Sequence, residues 1–69
     1  MTKVAKIEYL ALKGIEVKYH NKMQKTGYVR VYIDEIEGVR FTTSAADQGT
    51  ASRTLDALYW SQKLQEGIE

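Results

Sequence analysis

The chain has 69 residues, 43% of them hydrophobic and 28% charged, with no cysteine and no proline. A chain this short buries only about 60% of its unfolded surface, which leaves little room for a deep cleft backed by a supporting shell and argues against an enzyme; the lack of cysteine removes disulfide and thiolate chemistry. The net charge of +1 hides an asymmetry, because residues 1–30 carry seven lysines and arginines against two glutamates, a net +5, while residues 31–69 carry three against seven, a net −4.

No linker, low-complexity tract or repeat divides the sequence, so residues 1–69 read as a single small α+β domain. The opening Met1-Thr2-Lys3-Val4-Ala5-Lys6 lacks the apolar run of a signal peptide, and no later stretch is long and apolar enough to span a membrane. A cytoplasmic protein without a membrane partner is expected.

Lys3 to Lys13 contains good helix formers, with Val4, Ile7, Leu10 and Ala11 on one face, Thr2 as N-cap and Gly14 at a left-handed C-terminal position. Ile7, Tyr9 and Ala11 also alternate, so a fourth strand is the competing reading of this segment. Ile15, Val17 and Tyr19 then alternate with Glu16, Lys18 and His20, a strand leading into the polar loop His20–Thr26. Tyr28 to Ile33 alternates strictly and is rich in β-branched and aromatic residues, as a half-buried strand requires.

Asp34-Glu35-Ile36-Glu37-Gly38 reads as a short loop closed by glycine, which pairs Ile33 with Val39, Val31 with Phe41 and Tyr32 with Arg40. The odd positions Val29, Val31, Ile33, Val39 and Phe41 then face the core, and the even ones face outward. Residues 44–50 read as a loop and residues 51–65 as a helix, capped by Thr50 or Ser52 and stopped by Gly67. That helix shows two apolar stripes, one of Ala51, Leu55, Leu58 and Tyr59, the other of Ala57, Trp60 and Leu64. The expected architecture is therefore α+β: a small three-stranded antiparallel sheet, a C-terminal helix and an N-terminal helix.

Two surfaces could carry function. The outer face of the sheet offers Lys18, Tyr28, Arg30, Tyr32 and Arg40, with Lys22 and Lys25 in the adjoining loop. Lysine and arginine neutralise phosphates or read base edges, and tyrosine rings stack on bases. The plain alternatives are ordinary cross-strand pairs on a solvated face, lysines that protect a sheet edge, or burial of the face beneath the first helix. The second surface is Trp60 with Leu64, either a protein interface, self-association included, or core packed against Val4 and Ile7. A bare sheet edge is a third place for a protein partner.

His20 stands alone, without the companions of a metal site or a triad, and reads as a solvated turn residue. Asp34, Glu35 and Glu37 read as an exposed acidic hairpin tip. Asp47 to Arg53 lacks the lysine and spacing of a phosphate loop. No catalytic residue, metal, cofactor or small-molecule substrate is indicated.

The order of three antiparallel strands followed by a helix is similar to that of the arm-binding domains of phage and transposon integrases, which lay such a sheet into the DNA major groove. The likeness is of element order alone, with no diagnostic residue match. The sequence thus favours a non-enzymatic nucleic-acid-binding accessory protein of a mobile element. A protein-binding module or inhibitor, dimeric in one version, is the alternative.

Overall fold

The computed structural model describes residues 2–68. Its elements are α1 (Lys3–Leu12), β1 (Val17–Met23), β2 (Val29–Ile36), β3 (Val39–Arg40) and α2 (Ala45–Ile68), with an antiparallel sheet in the order β1-β2-β3. The α+β architecture expected from the sequence is present, and the N-terminal segment is the helix rather than a fourth strand.

The Thr2 hydroxyl caps α1 by accepting from the Ala5 amide at 3.2 Å. At the other end Gly14 adopts φ +85°, its amide donates to the Ala11 carbonyl, and the Ile15 amide donates to the Leu10 carbonyl. This pair of bonds satisfies two end carbonyls and turns the chain so that buried Ile15 joins buried Leu10. The helices run side by side in the same direction, because Lys6 meets Asp56, Tyr9 meets Tyr59 and Lys13 meets Glu66. Ile7, Leu10, Ile15, Ile33, Ile36, Ala51 and Leu55 form the core between the helices and one face of the sheet.

The strands depart from the sequence reading in three respects. β1 runs to Met23, so the segment expected as a loop from His20 is largely strand. The reversal is made by Lys25, Thr26 and Gly27, with the Gln24 amide donating to the Tyr28 carbonyl and Gly27 at φ +91°. β2 runs through Asp34, Glu35 and Ile36, and the turn is only Glu37-Gly38, both at positive φ. Ile36 therefore pairs with Val39 and Glu35 with Arg40, in place of the expected Ile33–Val39 and Tyr32–Arg40 pairs.

A β-bulge reconciles this register with a single core. Lys18 faces Glu35 and Tyr19 faces Ile33, so Asp34 is the extra residue. The bulge resets parity, and both Ile33 and Ile36 are buried. Strict odd-position burial therefore fails at even-numbered Ile36, whereas Val29 and Val39 lie on the inner face but are exposed there.

α2 begins six residues earlier than expected, capped by Ser44, whose hydroxyl accepts from the Asp47 amide and whose carbonyl accepts from the Gln48 amide. The helix continues through Gly67. Gly49 lies inside it in an ordinary helical conformation, and a methyl group there would meet only the end of the Arg53 side chain at 3.7 Å. Gly49→Ala should stabilise the domain by about 0.5–1 kcal/mol through helix propensity. Thermal denaturation checks this, with a rise of several degrees expected for a chain of this size.

Gln48, expected in a loop, is the one buried polar residue described. Its amide accepts from the Ile33 N–H at 2.9 Å and donates to the Ile33 carbonyl at 2.8 Å and the Thr42 carbonyl at 2.8 Å. β3 has ended by then, after the Phe41 amide reaches the Asp34 carbonyl, so the Gln48 side chain takes the place of the next strand residue. Among the described residues no helix is long and apolar enough to cross a membrane.

Candidate nucleic-acid interface

Both helices pack on the Ile33 and Ile36 face, so among the described residues nothing covers the opposite face of the sheet. Cross-strand pairs share a face, and the pairing gives this outer face three rows.

The row nearest the turn of β2 and β3 is Lys18, Glu35 and Arg40. Lys18 contacts Glu35 at 3.1 Å and Glu16 at 3.8 Å. The hydrogen bond that Lys18 donates to the Glu35 carboxylate, then the charge of that carboxylate, raises the Lys18 pKa. Lys18 is thus engaged within the chain, and Arg40 shares its strand position with an acid. The second row is His20 and Tyr32, with rings stacked at 5.4 Å between centroids and the His20 Nδ1 at 2.8 Å from the Asp34 carboxylate. His20 is therefore a strand residue held from two sides, not a free turn residue, and Asp34 is its partner rather than part of a hairpin tip.

The third row is Lys22 opposite Arg30. Both are exposed, and among the described residues neither has a carboxylate within ion-pair distance. Arg30 lies over the Tyr32 ring at 5.3 Å. Lys25 in the turn adds a third cation, and Tyr28, just before β2, is 57% exposed. Of the residues singled out from the sequence, Lys22, Lys25, Tyr28, Arg30 and Tyr32 gather on the distal half of the hairpin. Lys18 and Arg40 stand apart in the charge-compensated row.

Trp60 and Leu64 are 59% and 68% exposed on α2. The expected core packing of Trp60 against Val4 and Ile7 is overturned: α1 docks on the same stripe of α2 as the sheet, its Tyr9 ring meeting Tyr59 at 5.2 Å, so among the described residues nothing covers the second stripe. Trp60 meets the Tyr59 ring in an edge-on arrangement, also at 5.2 Å between centroids.

The helix pair carries a separate cation–aromatic seam. Lys63 sits 4.7 Å over the Tyr9 ring, Lys13 lies 5.5 Å from the same ring, and Lys13 pairs with Glu66. The Tyr9 hydroxyl is enclosed without a hydrogen-bond partner of normal geometry, and its pKa is pushed up to about 12, first by burial and then by the Glu66 carboxylate. Glu66 is itself held below its ordinary value, chiefly by Lys13. This seam ties the helices together and presents no reactive geometry.

Among the described residues no group of three or more histidines and carboxylates is placed to hold a metal. The hollow bounded by Ala11, Gly14, Ile15, Glu16 and Val17 is shallow and open. Neither protein-family models, curated proteins nor solved structures gave a match to this chain.

Proposed function

We propose that this domain is a nucleic-acid-binding accessory module that meets the phosphate backbone with the distal outer face of its β1–β2 hairpin. The observation that carries this reading is the Lys22–Arg30 pair. Like charges directly opposite one another destabilise a sheet, and here no carboxylate among the described residues relieves them. A phosphate would. Lys22, Lys25 and Arg30 supply the phosphate contacts, and Tyr28 offers an exposed ring for stacking or for packing against sugar. A two-stranded ribbon fits the major groove.

Fluorescence anisotropy with labelled duplex and single-stranded oligonucleotides at low salt tests the reading. Salt-sensitive binding is expected, and retention of neither form would remove it.

Exposed Trp60 and Leu64, one helical turn apart, favour a second reading, a protein-binding surface on α2. It predicts a partner-dependent blue shift of Trp60 emission, which nucleic acid on the hairpin would not produce.

A further inference from the structure

Among the described residues β2 alone pairs with β1, which makes β1 an edge strand along its whole length. In an antiparallel ladder, bonded and non-bonded pairs alternate. The Gln24–Tyr28 bond and the Ile33–Gln48 bonds fix the phase: His20 and Lys22 bond inward to β2, while Tyr19, Asn21 and Met23 turn their N–H and C=O groups outward. Three consecutive outward sites are therefore free for another strand. The inner face beside them is uncovered and, Asn21 apart, apolar, with Met23 65% and Val29 52% exposed.

We propose that a second copy of this chain occupies that edge, β1 against β1, antiparallel about a two-fold axis at Asn21. The strand sequence selects this register. With the axis at Asn21, Tyr19 of each copy faces Met23 of the other on the inner face, giving two sulfur–aromatic contacts. On the outer face Lys18 faces Gln24, and Lys22 faces His20, whose ring already holds the Asp34 carboxylate. Moving the axis to His20 sets Lys18 opposite Lys22 on both sides, and moving it to Lys22 sets that lysine against itself. Both shifts place like charges directly opposite. The Asn21 register alone among the three avoids this, and it uses all three outward sites, for six backbone hydrogen bonds. It also brings the turn lysine Lys25 of one copy alongside Val17 and Glu16 of the other, at the rim of the shallow hollow.

The result is a six-stranded sheet with its two outer faces joined and its helices on the other side. The pairing is independent of any nucleic acid.

The chain has no cysteine, so Asn21→Cys tests the axis directly. Residues opposite in a bonded antiparallel pair lie about 5.5 Å apart at Cα, within the disulfide range. Exposed Asn21 and Val29 both tolerate the change without loss of packing. Under mild oxidation Asn21→Cys should form a covalent dimer at least tenfold faster than Val29→Cys, with unchanged circular dichroism. Wild type should show concentration-dependent mass by sedimentation. Asn21→Pro, which removes an outward N–H and no bond to β2, should stay monomeric while keeping its thermal melt. Equal crosslinking rates for the two cysteine variants, or a wild-type monomer at millimolar concentration, would overturn the proposal.

Discussion

Replacing Gln48 with leucine should destabilise the domain by about 3 kcal/mol, most of what a core of this size supplies. The substitution keeps side-chain volume, so the loss isolates hydrogen bonding from packing. Three bonds disappear at once: those to the N–H and C=O of Ile33 and to the C=O of Thr42. Ile33 is fully buried, so its backbone groups would be left without water, at about 1–3 kcal/mol for each unsatisfied group. Gln48→Ala should be worse, since it adds a cavity beside Ile33. Urea denaturation measures the loss, and hydrogen exchange at the Ile33 amide locates it. A leucine variant melting within two or three degrees of wild type would show that water replaces the glutamine.

The same residue shows why part of this fold was illegible in the sequence. Gln48 lies on the stripe of Ala51, Leu55 and Tyr59, and a polar residue on an apolar stripe is a recognisable sign of a buried partner seeker. The sign was masked because Gly49 and the small polar residues around it read as a loop. Tertiary pairing with the bare edge of β2 outweighs about 1 kcal/mol of glycine propensity. The bulge at Asp34 was hidden for a related reason. Alternation predicts parity only while the ladder is regular, and one unpaired residue moved Ile36 into the core, while the extension of β2 to a two-residue turn shifted every partner of β3.

What the sequence did carry was local. Thr2, Gly14, Gly27 and Gly38 mark three chain reversals and a helix start, and each performs the conformational task its chemistry suits. The outer-face residues were also legible as a set, because the bulge and the longer β2 cancel: Arg40 still shares a face with Lys18, although its partner is Glu35 and not Tyr32. Their division into a compensated and an uncompensated half was not legible. It depends on which charge faces which, and register alone decides that.

This division makes the second large effect testable, since binding and stability should move in opposite directions. Lys22→Glu places a carboxylate opposite Arg30 and turns a repulsive cross-strand pair into an attractive one, which should stabilise the fold by about 0.2–1 kcal/mol. The same change sets a negative charge where the phosphate would lie. Nucleic-acid affinity at low salt should then fall by at least an order of magnitude, with the salt dependence flattened by about one phosphate contact, or roughly 0.9 in the slope for a duplex. The Lys22→Ala, Arg30→Ala double variant should lose about two contacts. Lys18→Ala should change binding little, because Glu35 and Glu16 already engage that cation. Anisotropy titrations at several salt concentrations, paired with thermal melts of the same samples, read both quantities. A more stable Lys22→Glu protein that binds as tightly as wild type would place the nucleic acid elsewhere. A less stable one would show that the two cations are not in fact repelling each other across the hairpin.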